Sequence, residues 1–361
     1  MLVFGTLGRY ISLQFAKAIL MVLATLFGLI YVLDFVELMR RAGDTEGATA
    51  GLMARLAFLR VPSISEQLLP FAVLFGSMAA LMQLSRKLEL VVARAAGISA
   101  WQFLQSGVGV AALFGLVAVT IYNPFAASMK QQAAAIEARV FARRLADPGK
   151  EVWIRQTGAD GAAILRAQAA VGGTTTLQGV TVFTFRGRDT FQERIEAREA
   201  SLRPGYWELR GARVVTADEA PISYDTYLVA SHLEPSQVRQ TFTSADSVSF
   251  WDMDETIVQT ERAGLDATPY RLQYSMLLAR PLLLVAMVLV AASVSLRFFR
   301  FGGVAKMVVG GVAAGFMLYV ATELMEDLGK SGLVGPAIAA WFPAVVGSLL
   351  GSLALLYQED G

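Results

Sequence analysis

Residues 86–98 read RKLELVVARAAGI, a short charged segment between two long apolar runs. At 100° per residue, Leu88, Val91, Val92 and Ala95 gather on one side of a helix, and Arg86, Lys87, Glu89 and Arg94 spread over the rest. Gly97 is a natural helix stop. A helix this short cannot cross a bilayer, which needs about 20 apolar residues. Placed between two spans, it lies at the membrane surface. Two readings fit the pattern: an amphipathic loop helix resting on lipid headgroups, or a ball-like helix offered to a soluble partner that drives the protein. The rest of the chain decides between them.

Of the 361 residues, 55% are hydrophobic and 17% charged, with a mean hydropathy of +0.51. That composition suits a polytopic membrane protein and not a soluble domain of this length. The net charge of +1 provides no bulk basic field for nucleic acid. The absence of cysteine excludes disulfides, thiolate zinc sites, iron–sulfur clusters and a cysteine nucleophile. The first apolar run has no small-residue cleavage site after it, so it reads as a retained span.

Working outward from residues 86–98, six spans fall into two blocks. The first three are expected at 15–36, 62–84 and 103–122, and the last three at 274–296, 304–324 and 333–357. Residues 1–13, with Arg9 and Tyr10, are placed at the interface. With the N-terminus in the cytoplasm, the inner loops hold Arg9, then Arg86, Lys87 and Arg94, then Arg297, Arg300 and Lys306, as the positive-inside rule asks. The C-terminal tail is then also inside. The outer loop after the fifth span carries Glu326, Asp327 and Lys330. The first outer loop breaks the trend, with Arg40, Arg41, Arg55 and Arg60 against few acids.

Between the third and fourth spans lies a polar insert at 126–268. It opens with a helical-looking stretch at 126–145 that ends at Asp147-Pro148-Gly149. Segments 151–155, 179–185 and 206–210 then read as strands, and short strands punctuated by Gly, Pro and Asp suggest a sandwich or jelly roll. Residues 247–264 look helical and lead back to the membrane. The expected fold class is therefore an α-helical polytopic membrane protein with six transmembrane helices and an inserted extracytoplasmic β-jellyroll-like domain. Its divisions are 1–125 for the first three spans, 126–268 for the insert and 269–361 for the last three.

Catalytic signatures are sparse. His232 is the only histidine, so no His-based triad or His-rich metal site can form within one chain, and a surface histidine in the β domain is expected. Gly329-Lys330-Ser331 resembles the end of a phosphate-binding loop, but the required preceding glycine is Leu324. No cofactor is expected, and any energy source other than an ion gradient has to come from a partner. Gly311 and Gly315, and Gly347 and Gly351, have the small-residue spacing that lets helices approach closely, either within the chain or at a partner or gating seam. Glu66 and Glu323 sit near the outer ends of their spans, and no relay of carboxylates crosses the middle, which weakens a proton-coupled transporter.

The run from Glu89 to Gly97, ELVVARAAG, resembles the ELVV-x-x-x-(A/S)-G segment of the LptF/LptG family, the permeases of the lipopolysaccharide-export ABC transporter. The resemblance covers nearly the whole chain, since three spans, a large periplasmic β domain and three more spans are that family's layout. Gly8-Arg9-Tyr10-Ile11 and the run FVELMRRAG at 35–43 are more similar to the LptG branch than to LptF. One departure stands before the fourth span, where Leu277 occupies a position expected to be lysine and Arg280 follows one turn later.

The resemblance implies partners and sites. An LptF-like second permease subunit and this chain would sit on an LptB-like ATPase dimer, with no nucleotide site and no enzyme activity of the chain's own. Arg86, Lys87, Glu89, Leu90, Val91, Arg94 and Gly97 would form the coupling helix that fits a groove on that ATPase. Lipopolysaccharide would enter between the subunits through gates lined by the first and fifth spans, the latter carrying Gly311 and Gly315. It would then pass to the β domains and on to LptC/LptA-like periplasmic bridge components. Arg40 and Arg41, with Asp34 and Glu37 one to two turns before them, match the family's basic pair after the first span. Cations at that level suit lipid phosphates, and plain solvated charges are the other reading.

Rival functions are a permease for another lipid or lipoprotein, a membrane-anchored binding or sensor protein, and a membrane enzyme. The enzyme lacks a nucleophile–base pair or a metal cluster in this sequence, and six spans with a surface helix exceed what an anchor needs.

Overall fold

The computed structural model describes residues 5–43, 48–140, 152–158, 161–170, 176–186, 190–216, 221–231, 245–262, 266–301 and 304–359. His232, Asp147-Pro148-Gly149 and Glu151 lie outside the described residues.

Nine helices and six strands are described. The first helical block comprises α1 (Thr6–Ala42), α2 (Ala50–Arg86), the short α3 (Glu89–Ala95) and α4 (Ala100–Val117). A π-helical turn at Ala118–Tyr122 then runs into α5 (Asn123–Val140). The β domain follows as β1 (Val152–Gly158), β2 (Gly161–Ala170), β3 (Thr176–Arg186), β4 (Thr190–Arg203), β5 (Tyr206–Thr216) and β6 (Ile222–Ala230). The chain returns through a 3-10 turn (Ala245–Ser247), α6 (Phe250–Arg262), α7 (Thr268–Phe301), α8 (Val304–Lys330) and α9 (Pro336–Glu359). Among the described residues, six helices are long and apolar enough to cross a membrane, in two blocks of three, as the hydropathy pattern requires.

The helices outrun the apolar stretches that announce them. Helix α1 is continuous from Thr6, so Arg9 and Tyr10 lie in the same rod as the first span. Helix α2 begins at Ala50, capped by Thr49, whose hydroxyl accepts from the Leu52 N–H. Arg55 and Arg60 therefore stand on a helix, not in the outer loop where charge counting placed them.

The bundle core is formed by Phe15 and Ile19 of α1, Leu74 and Leu81 of α2, Leu104 of α4 and Leu284 of α7, all fully or almost fully buried. Gly311 and Gly315 bring α8 onto α2: a Cβ on the first would run into the Met78 thioether, and on the second into Leu74. Gly347 and Gly351 do the same for α9 against Leu318 and Leu289. These glycine pairs serve close packing inside the chain.

The β domain is one six-stranded antiparallel sheet in consecutive order from β1 to β6. Its register aligns Leu165 with Val182, Val182 with Ile195 and Ile195 with Val214, giving a buried apolar line across four strands. Leu202, Trp207 and Val229 form a second line. The sheet curls until its edge strands meet. Gln156 of β1 accepts hydrogen bonds from the Trp207 indole (3.1 Å) and from the hydroxyl of Ser231 just past β6 (2.6 Å), and donates to the Ala230 carbonyl at the end of β6 (3.2 Å). This coiled meander is the inserted β domain expected from the strand texture, built without a disulfide. On β5, hydrogen bonds from Arg203 and Arg210 hold the Glu208 carboxyl below its ordinary titration range.

Candidate functional site

Three arrangements carry the charged and strained residues. The first is the short helix between α2 and α4. Leu88 adopts a left-handed conformation (φ 58°), unusual for a residue with a branched side chain, and this turns the chain sharply out of α2. The Leu88 carbonyl then accepts the first bond of α3, from the Val92 N–H at 3.0 Å. The helix ends in a Schellman motif: Ile98 N–H bonds Ala93 O (3.1 Å) and Gly97 N–H bonds Arg94 O (3.0 Å), with Gly97 at φ 81°. Ser99 and Gln102 form a reciprocal capping box that starts α4. The stop of α3 and the start of α4 are thus specified by local sequence, whereas the turn at Leu88 is not.

Burial divides α3 into two sides. Leu90 is the side chain that packs into the bundle core, while Leu88, Val91 and Val92 are 62%, 58% and 66% exposed. Leu88, Val91, Val92 and Ala95 thus share one exposed side, opposite the Leu90 anchor. Glu89 is held from outside the loop: the Tyr10 hydroxyl donates to its carboxylate at 3.0 Å, and Gln14 donates to Tyr10 at 3.1 Å. Helix α1 is therefore tied directly to α3.

The second arrangement lies at the far end of α1, roughly 40–45 Å along the helix from Tyr10. Glu37 bridges both arginines of the expected basic pair, receiving Arg40 Nε at 2.9 Å and Arg41 Nε at 2.8 Å. Asp34 turns elsewhere, to Arg60 of α2 (3.5 Å), which also meets Glu137 of α5 (3.1 Å). The four residues singled out in the sequence thus divide. Glu37, Arg40 and Arg41 form one exposed cluster, and Asp34 belongs to a three-helix tether with Arg60 and Glu137, two partners that helix periodicity does not indicate.

The third arrangement is a cavity of about 730 Å³ bounded by α2, α7, α8 and α9. Arg280 of α7 forms an ion pair in its wall with Glu66 of α2, with side chains only 14% and 9% exposed. Asn123 also donates to Glu66, at 3.0 Å. Leu277, where a lysine was expected, is fully buried among apolar neighbours, and Arg280 one turn later faces the carboxylate. At the mouth, Lys330 pairs with Glu326 at 2.7 Å, which occupies the lysine of the phosphate-loop-like Gly-Lys-Ser run within its own helix.

Sequence reasoning passed over Asn123 and Trp251, yet Asn123-Pro124 carries a local signal. Pro124 has no N–H for the Thr120 carbonyl, and the helix widens into its π turn just before it. The Trp251 indole N–H fills the vacant acceptor at 3.1 Å.

Six candidate spans among the described residues, a short helix on the connection between the second and third, and a β domain inserted between the third and fourth give the layout of a multi-pass membrane protein. The family model described as Lipopolysaccharide export system permease LptF/LptG matches residues 9–358, and the chain belongs to that family. It is 25% identical over 368 residues to the lipopolysaccharide export system permease protein LptG of Escherichia coli K12, covering 99% of both chains. It is 24% identical over 366 residues to the LptG of Haemophilus influenzae, covering 98% of this chain and 96% of that one.

Proposed function

We propose that this chain is the LptG-like permease subunit of an ABC transporter that extracts lipopolysaccharide from the outer leaflet of the inner membrane and passes it toward a periplasmic bridge. The observation that carries the reading is α3: a rigidly specified helix at the opposite end of the bundle from the β domain, with Leu88, Val91 and Val92 exposed around Glu89 and Arg94. An apolar face ringed by two opposite charges suits a groove on a soluble ATPase. In this reading both termini are cytoplasmic and the β domain is periplasmic. The ATPase is an LptB-like dimer, the second permease is LptF-like, and LptC/LptA-like components receive the lipid.

Arg40 and Arg41 are the proposed contacts to lipid phosphates. Glu37 holds them in a fork before lipid arrives, and phosphate replaces that carboxylate with charge-assisted bonds. Gly311 and Gly315 set how closely α8, a proposed gate element, can move against α2.

The test is recovery of the tagged chain in mild detergent, with proteins and lipids identified by mass spectrometry. An ATPase, a second permease-like chain and a phosphate-bearing glycolipid are expected together. Recovery of a different lipid or of a lipoprotein with an ATPase would favour another permease, and recovery with no ATPase would contradict the reading.

A further inference from the structure

The return segment from the β domain is fastened to the third span at four points. Lys130 pairs with Asp246, and Gln131 donates to the Ser247 carbonyl at 2.8 Å. The Phe250 N–H donates to Asn123 Oδ1 at 2.9 Å, and the Trp251 indole donates to Thr120 O at 3.1 Å. Phe250 also stacks on Tyr274 of α7, at 5.6 Å between ring centroids. Helix α6 is thus a strut whose first residues are fixed to the bundle.

Asn123 is the point where this fastening meets the cavity. It is 1% exposed, and both ends of its amide are committed. The oxygen accepts from the start of α6, and the nitrogen donates to Glu66, the carboxylate that also holds Arg280 in the cavity wall. A buried polar chain of this kind is costly within an apolar bundle unless every member is satisfied. Its arrangement also has a consequence for ligands. An anion entering the cavity finds Arg280 as a cation and Glu66 as a like charge. As the anion takes Arg280, Glu66 loses its counter-charge and is left with Asn123, whose orientation is fixed by Phe250.

We propose that Asn123 is a positioning residue that links occupancy of the cavity by a phosphate-bearing lipid headgroup to the placement of the α6 strut. This rests on the reading above that the chain transports such a lipid. The link runs from Arg280 through Glu66 and Asn123 to the first residues of α6, and each step is a direct bond between named side chains or backbone groups.

The absence of native cysteine allows a distance measurement across the link. Cysteines replace Val258 on α6 and Leu333 between α8 and α9, both exposed, and carry spin labels in the full complex held in nanodiscs. Lipopolysaccharide is the added probe, and its binding is measured in parallel. The native complex is expected to show one distance peak at rest and a displaced peak with lipopolysaccharide. Asn123→Ala is expected to keep the resting peak and the binding while losing the displacement. Asn123→Asp, which keeps the shape and the acceptor for Phe250 but removes the donor to Glu66, is expected to behave alike and serves if the alanine variant fails to assemble. Equal displacement in native and variant complexes overturns the inference, as does lipid binding to the native complex with no displacement. Failure of the native complex to bind lipopolysaccharide overturns instead the function on which the inference rests.

Discussion

Tyr10 donates its hydroxyl to the Glu89 carboxylate at 3.0 Å, joining the start of α1 to the first residue of α3 across 79 positions of sequence. If α3 docks on an ATPase, this bond orients the carboxylate that meets the partner. Glu89→Lys is expected to abolish lipid-stimulated ATP turnover while membrane insertion is kept. Tyr10→Phe removes one hydrogen bond to a charged, exposed group, worth on the order of 1 kcal/mol, a few-fold effect. Its effect should vanish in a Glu89→Ala background, which has no acceptor. A Tyr10→Phe defect of the same size in both backgrounds would show that the tyrosine acts elsewhere.

Arg60 and Arg55 stand on the same helix with different duties. Arg60 ties Asp34 and Glu137 across three helices, while Arg55 is exposed. Arg60→Ala leaves the largely buried Asp34 without its cation and should cost about 1–3 kcal/mol. Arg55→Ala should fall within about 0.5 kcal/mol of the parent. Thermal unfolding of the purified chain in detergent measures both, and equal melting temperatures would remove the tether from the account.

The Trp251 indole occupies the carbonyl that Pro124 leaves vacant. Trp251→Phe should therefore destabilise the chain by about 1–2 kcal/mol through one unsatisfied acceptor. Pro124→Ala restores an N–H on the same helix and should recover part of that loss. A double-mutant cycle on thermal stability reads the coupling, and simple additivity would contradict this assignment.

The four-residue glycine spacing on α8 fits tightly against Met78 and Leu74 of α2. Gly311→Val should lower stability by about 1–3 kcal/mol by overpacking, and Met78→Ala should relieve part of that cost. Unchanged thermal stability of Gly311→Val would mean that this seam is not closed in the free chain.

The helical layout was legible from residue chemistry alone because each span is announced by hydropathy and the end of α3 by Gly97. The Leu88–Ser99 segment encodes its own stop and the next helix's cap. The strands were legible in part. Segments within β1, β3 and β5 carry Val, Ile, Phe, Trp and Tyr, whereas β2 is rich in alanine and β4, TFQERIEAREASLR, alternates charges as a helix does. Their strand state comes from pairing with neighbours. The exposed side of α3 was legible from its period, whereas the anchoring of Leu90 on the other side comes from helices distant in sequence. Asn123, Glu66 and Arg280 meet across 57 and 214 positions, and no periodicity connects them; the residues themselves, polar groups in apolar spans, were the available signal.

The arginine pair at the end of α1 tests the central claim most directly. Leu38 beside it is 1% exposed and packed inside, whereas Met39 is 38% exposed, so a photoreactive residue belongs at Met39. Crosslinking to lipopolysaccharide would be compared in the native chain, an Arg40→Lys/Arg41→Lys variant and an Arg40→Glu/Arg41→Glu variant. Lysine keeps the charge but loses the bidentate fork, so the signal should fall in that order. Removing the lipid phosphates should weaken the native signal toward that of the glutamate variant. Equal crosslinking in all three, insensitive to the phosphates, would show that these arginines do not hold the transported lipid.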